Sequence, residues 1–305
     1  MVVGSARVEE RRWRGEGAVV LRVGTTEATF LPDLGLTGVS LRHHGREHLA
    51  VPGGPAALRA GHTLGLPLLA PWANRLSSRR YRAGGVDVDL RRRRLHTDAG
   101  GRPIHGLLVG APGWRVVEAV GRRDVARLRA VMDLDCPSFP FPHRIEVLAT
   151  LRPGRLGIDT TIVPTGRRPV PVSFGWHPYL RVPGSPRAGW RLRLPARDHC
   201  LLDERGIPTG TRVREPAECA PIGRRTFDDL YALQPSRTLA LEADHAAVRI
   251  RLVAAYPFAQ VWVPQGKRYA ALEPMTAPTN ALVDGSAPVV VPGDSFTARF
   301  AVELR

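Results

Sequence analysis

Trp190-Arg-Leu-Arg-Leu194 and Val248-Arg-Ile-Arg-Leu252 alternate apolar and charged residues without a break. An extended backbone repeats every two residues. It therefore puts all the apolar side chains of such a stretch on one sheet face and all its arginines on the other. The same alternation, less strict, recurs at 18–23, 86–90, 114–120, 145–151, 156–163, 238–242, 260–263 and 295–304. Turn signals punctuate these runs, among them Ala83-Gly-Gly85, Arg152-Pro-Gly154, Val182-Pro-Gly184 and Val291-Pro-Gly293. Strand patterns are too many, and helical patterns too few, for a βαβ fold. The class expected is all-β, built as a large antiparallel β-sandwich.

The rest of the chain fits that frame. Its 28 prolines and 31 glycines suit a fold of many turns. A length of 305 residues does not force a division, because all-β domains routinely run long. No internal repeat or low-complexity linker interrupts it, and the proline-rich stretches 136–142 and 168–171 read as ordered connections. One domain over residues 1–305 is expected. No apolar run of about 18 residues is present, so no membrane partner is expected. The stretch from Met1 to Arg14 mixes both charge signs and lacks an apolar h-region, which points to a cytoplasmic protein. Cys136, Cys200 and Cys219 form an odd set with no CxxC pair, which argues against a disulfide scaffold or a zinc ribbon.

Charge is the unusual bulk feature. The net balance is +16, and Lys267 is the sole lysine among 44 basic residues. The arginines are scattered, with Arg91 to Arg94 the only dense run, and no aromatics interleave that run. Nucleic acid is therefore not an expected partner, and the near-total use of arginine reads as a coding bias.

Four segments look like neither ordinary strand nor turn. Leu66-Pro-Leu-Leu-Ala-Pro-Trp-Ala-Asn-Arg75 brings Trp72, Asn74 and Arg75 together. Pro103-Ile-His-Gly106 sets His105 before a glycine. Val172-Ser-Phe-Gly-Trp-His-Pro-Tyr-Leu180 places His177 among aromatics, and Pro178 holds its backbone extended. Leu272-Glu-Pro-Met-Thr-Ala-Pro-Thr-Asn-Ala281 puts Glu273 at the end of an apolar run. Singly each has a plain explanation, since a lone histidine is more often core or surface, and Glu273 also suits a loop cap. Together they compose a device. A carboxylate takes a proton from one oxygen while an imidazolium donates to another, each group typically giving roughly 10²–10⁴-fold acceleration. Trp72, Trp176 and Tyr179 offer flat faces to the C–H side of a sugar ring, and Asn74 and Arg75 offer donors to its hydroxyls. His44 and His48 have helical spacing, but Gly45 lies between them and no ligand cluster accompanies them. Neither a Walker pattern nor a Gly-x-Gly-x-x-Gly loop occurs. The set describes a sugar pocket with no metal and no cofactor.

These residues resemble the aldose 1-epimerases, the galactose mutarotase-like proteins, and more their bacterial branch than the animal enzymes. The likeness rests on Pro71-Trp-Ala-Asn-Arg75, Ile104-His-Gly106 with Trp114, Gly175-Trp-His-Pro-Tyr179, Phe227-Asp-Asp-Leu-Tyr231 and Glu273-Pro-Met-Thr276. With the strand-rich flanks it covers essentially the whole chain. It implies the galactose mutarotase-like supersandwich. It also implies roles: Glu273 as the base at the anomeric hydroxyl, His177 as the acid at the ring oxygen, His105 binding near that oxygen or sharing the acid role, and Arg75 and Asp228 on hydroxyls. In the family the aspartate stands three before an aromatic, which points to Asp228, three before Tyr231, with Asp229 the alternative; the following glycine favours His105 over His96. On this reading the Glu273 carboxylate keeps the His177 imidazole charged near neutral pH.

Three rivals compete with that reading. A glycoside hydrolase would use Glu273 and Asp228 as a carboxylate pair. A sugar-binding protein without catalysis would use the same fold. A hexose-6-phosphate 1-epimerase would meet its phosphate with Arg79, Arg80 or Arg82, residues that also suit a solvated loop. Neither the aldose preferred nor the oligomeric state is readable.

Overall fold

The computed structural model of the protein describes residues 5–234 and 237–305, so the first four residues of the charged amino-terminal stretch lie outside the described residues. Nearly all its regular structure is β, in antiparallel sheets. The largest has nine strands, in the order 218–221, 191–194, 238–243, 246–254, 296–304, 155–164, 139–152, 125–136 and 115–122. Its longest member, Phe139–Arg152, keeps the two-residue alternation along nearly its whole length. Trp190, Leu192 and Leu194 are buried, as are Val248, Ile250 and Leu252, while the arginines between them reach outward. All ten sequence-expected strand segments fall on observed strands.

The site is built on a second sheet. Its strands run in the order Pro208–Glu215, Arg197–Leu202, Phe227–Leu233, Phe258–Val263, Ala270–Met275, Gly175–Trp176 and Leu68–Leu69, with Tyr179–Leu180 also pairing to Ala270–Met275. One face of this sheet packs on the nine-stranded sheet. Trp176 lies against Phe300 (6.0 Å between ring centroids) and donates its indole N–H to Thr160 Oγ1 at 3.0 Å. Phe174 meets Phe296, and Tyr256 meets Phe300. Alternation then dictates what the other face carries. Next to buried Trp176 comes His177, and next to Leu272 comes Glu273. Val261 sits between Gln260 and Trp262, and Asp228 and Leu230 face away from Asp229 and Tyr231. The hydrophobic core thereby fixes the aim of the polar groups that the sheet contributes to the site.

A third, five-stranded sheet made of residues 7–47 and the short helix Gly54–Arg59 complete the surroundings. No helix among the described residues is long and apolar enough to cross a membrane.

Candidate active site

Glu273 and His177 meet below the surface. The carboxylate Oε1 lies 3.3 Å from the imidazole Nε2, and both side chains are almost wholly buried. Gln260 stands directly opposite Glu273 on the neighbouring strand and donates its Nε2–H to Asp228 Oδ1 at 2.8 Å. Asp228 also faces the Arg75 guanidinium, at 3.5 Å. Asp229 points the other way, to His199, so alternation separates the two aspartates.

The lid of the site comes from two loop segments held together by backbone contacts. Arg75 bridges Ile104, and the His105 N–H donates to the Asn74 carbonyl at 3.1 Å. Both Asn74 and His105 take left-handed backbone angles (φ 54° and 62°), a conformation uncommon outside glycine and concentrated at functional sites. Gly106 has no alternative at its position, since a Cβ there would sit 2.2 Å from the Ala70 carbonyl oxygen. These contacts aim the His105 ring edge-on at His177, with centroids 5.6 Å apart. His96 lies one ring further out, 6.4 Å from His105.

The structure thus gathers Glu273, His177, His105, Asn74, Arg75 and Asp228 in one place. Tyr179 joins them differently from expectation. Its ring stacks on His177 at 4.6 Å and its hydroxyl is bonded to Thr63, so it braces the imidazole. Trp72 is a correction. It is fully buried in the main core and presents no face to a pocket, as is Trp176, because both point to the packed side of their segments. The aromatic surfaces that remain half-exposed beside His177 are Trp262, 5.7 Å from it, and Tyr269 beyond. Trp262 lies within the strand expected at 260–263, and its facing follows from pairing opposite Asp228. Asp98 carried no signal of its own. It accepts the Arg75 Nε–H at 3.1 Å and fixes that guanidinium from behind. Arg79, Arg80 and Arg82 are committed locally. Arg79 donates to the Leu90, Arg93 and Gly101 carbonyls, while Arg80 and Arg82 pair with Asp89 and Asp87.

Burial dominates the electrostatics. It pushes the Glu273 carboxyl well above the usual carboxylate range; Asp228 adds to the push and Arg75 opposes it. Burial likewise pulls His177 down to about 3 and takes His105 well below the usual imidazole range. Desolvation thus works against the ion pair expected from sequence and toward the neutral arrangement, in which Glu273 keeps the proton. Both arrangements hold the same single proton, and they differ only in which end of the 3.3 Å contact carries it.

Several buried polar atoms here have no partner: Glu273 Oε2, His177 Nδ1, His105 Nδ1, Asn74 Nδ2 and Gln260 Oε1. Unsatisfied buried groups are rare in folded proteins, and so many around one point suit a ligand with many hydroxyls.

The aldose 1-epimerase family model matches residues 21–300. No curated protein matches the chain in sequence. Among solved structures, a galactose mutarotase-like protein from Clostridium acetobutylicum superposes with a TM-score of 0.88 at 20% identity, covering 99% of each chain. A galactose 1-epimerase from Lactobacillus acidophilus gives 0.75 at 12% identity, over 98% of each chain. An aldose epimerase homologue from C. elegans gives 0.74 at 16% identity, over 99% of each. At these identities the superpositions speak for the fold, and the family match over nearly the full length speaks for the lineage: the chain belongs to the aldose 1-epimerase family.

Proposed function

We propose that the protein is a mutarotase, an isomerase that interconverts the α and β anomers of a free aldohexose. The observation that carries this reading is the buried Glu273–His177 contact at 3.3 Å, with the outer atoms of both groups left open. Glu273, as the carboxylate, removes the proton from the anomeric hydroxyl. His177, as the imidazolium, protonates the ring oxygen, and the C1–O5 bond breaks to give the open-chain aldehyde. Rotation about C1–C2 presents the other carbonyl face. His177 then takes back the hydroxyl proton as O5 attacks C1, and Glu273 returns its proton to O1. Protons balance over the cycle.

The proton shared by the resting pair is the one this scheme needs. Bound hydroxyls supply donors to the carboxylate, which favours the charged arrangement over the neutral one. Asn74 Nδ2, Arg75, Asp228 and Gln260 Oε1 would hold the remaining hydroxyls, and Trp262 offers its half-exposed ring to the apolar face of the sugar.

Polarimetry on freshly dissolved α-D-glucose and α-D-galactose tests the proposal. The protein should speed the decay to equilibrium rotation, and Glu273→Gln should lose that acceleration by about 10²-fold or more while still binding sugar. Full activity in the Gln variant would remove Glu273 from the mechanism. No acceleration of any free aldose by the native protein would favour a sugar-binding protein on this fold.

A further inference from the structure

The arginines that the sequence sets near the site are spent on local partners; a second group lies elsewhere, in which only Arg42 has an ion-pair partner among the described residues and Arg181 spends its Nε–H on the Glu47 carbonyl. A cleft of about 450 Å³ opens between the five-stranded sheet and the turn before strand Ala270–Met275. Arg14, Arg42, Arg181 and Arg268 line it against a single carboxylate, Glu47. Glu47 is itself occupied, accepting from the Leu41 and Leu49 amides and from Ser40, and among the described residues it pairs only with Arg42. In four other surface cavities the arginines and carboxylates differ by at most one. The excess here is three, so a general surplus of arginine does not account for it.

The cleft is joined to the catalytic pair by an aromatic wall. Tyr179 stacks on His177 at 4.6 Å, Tyr269 follows 5.3 Å beyond Tyr179, and Tyr269 lines the cleft. Along the exposed side, Trp262 lies 5.7 Å from His177, and Tyr269 is 6.0 Å further on. Two ring-sized platforms in succession suit two pyranose rings. The first rests beside the acid and base, and the second approaches the guanidinium groups. Guanidinium clusters recognise carboxylate, sulfate or phosphate oxygens by charge-assisted hydrogen bonds.

We propose that this cleft is an anion subsite of the catalytic site, and that the site selects a reducing disaccharide whose second ring carries a carboxylate or sulfate. The inference rests on the mutarotase reading above and names its substrate class. The first ring changes anomer over Glu273 and His177, and the second is held on Tyr269 with its anion among Arg14, Arg181 and Arg268.

Anomer exchange followed by NMR on glucose, cellobiose, cellobiouronic acid and glucose 6-phosphate tests this, together with calorimetric titration of the same sugars. At low salt the native protein should favour cellobiouronic acid over cellobiose in kcat/KM by about tenfold, the size of one charge-assisted hydrogen bond. Arg268→Glu, a change at an exposed side chain, should bring that ratio to about one or below, and added salt should shrink it. An equal rate for both disaccharides, or a ratio that Arg268→Glu leaves unaltered, overturns the proposal. So does an Arg268-dependent preference for glucose 6-phosphate without one for the acidic disaccharide, which would put the anion on the first ring. If no sugar is turned over, the mutarotase reading fails, and the titration decides the cleft by itself. Cellobiouronic acid binding that weakens in Arg268→Glu supports the subsite, and absence of binding removes it.

Discussion

One sheet carries two buried ionic clusters, one on each face. On the core side, Arg197 is 4% exposed and donates to the Pro195 and Pro216 carbonyls at 3.2 and 3.0 Å and to Glu218 at 2.9 Å. It also pairs with Glu215 at 2.6 Å and lies over the Tyr231 ring. His199 beside it is held at both nitrogens, by Glu215 and by Asp229. On the other face, the only ion-pair partner of Glu273 among the described residues is His177, with its second oxygen open, and Asn74, Gln260 and His105 around it each keep a polar atom unpartnered. Each cluster centres on a charged-type side chain held away from water, Arg197 in the first and Glu273 in the second, although the carboxylates around Arg197 stay partly exposed. The first is closed on itself apart from the Arg197 Nε–H, and the second keeps five polar atoms without partners. Unused hydrogen-bonding capacity, more than charge or burial, separates a site from a strut.

Substitution should divide the two clean across function and stability. Glu273→Gln is expected to reduce mutarotation by about 10²-fold or more. Its chemical unfolding midpoint should hold or rise, since burial raises the Glu273 pKa and so costs stability at neutral pH, a cost the amide does not carry. Arg197→Met is expected to cost roughly 3 kcal/mol of stability by breaking a buried pair. Activity per folded molecule should hold in this variant. Denaturant titration and polarimetry on both variants measure all four quantities. A collapse of activity in folded Arg197→Met would join the two clusters into one functional unit.

Acid sharpens the contrast between paired and solitary groups. Between the ordinary pKa values of glutamate and histidine, the unfolded pair is a carboxylate and an imidazolium, which is one proton. The ionic and the neutral arrangement of the folded Glu273–His177 pair each hold one as well, so a pair that keeps its single proton contributes no slope of stability against pH in that window. His48 has no such partner. It is buried, its Nδ1 is unpartnered, and burial pulls it from 6.5 to about 4. The unfolded chain therefore binds a proton there that the folded chain refuses. Stability from this residue is complete above about pH 6.5 and declines as the pH falls toward 4, by roughly 3 kcal/mol in all. Urea midpoints at pH 7 and pH 4.5 should differ less in His48→Gln than in the native protein. An unchanged difference would assign the acid sensitivity to other buried imidazoles such as His105.

How much of this was readable from the chain follows the same physics. Alternation such as Trp190-Arg-Leu-Arg-Leu194 reports a backbone period directly, so the sandwich could be inferred from single stretches. Glu273, His177 and Arg75 stood out as odd residue types in proline-rich surroundings. Trp72 stood out by the same signal and is core, because a motif says which residues are present and not which way each one faces. The protonation state is out of reach of the sequence for a related reason. A sequence shows that a carboxylate and an imidazole coexist, but the degree to which water is excluded from both is a property of the packed sheets. Gln260, Trp262 and Asp98 were beyond reach, since each acts through a partner at least 23 residues away or through its place on a strand.

Asp98 gives the smallest expected effect, and a delicate one. Its Oδ2 takes the Nε–H of both Arg75 and Arg102 at 3.1 Å, and its Oδ1 takes the amides of Gly100 and Arg102 at 2.9 Å. Burial raises its carboxyl, but the Arg102 amide bond, the Arg102 charge and the bond and charge of Arg75 together hold it below the usual range. The charge thus anchors the back of Arg75 while Asp228 meets its front. Asp98→Asn keeps one acceptor oxygen for the turn but turns an N–H donor toward a guanidinium. Arg75 then loses its fixed direction without leaving the site. A hydroxyl clamp acts on the ring before and during the reaction alike, so its loosening should raise KM by about three- to tenfold with kcat nearly constant. Steady-state kinetics on galactose separates the two parameters. A fall in kcat with KM unmoved would mean that Arg75 works on the charge developing at the reacting atoms, and its place would then be beside Glu273 and His177 and not among the groups that merely hold the sugar.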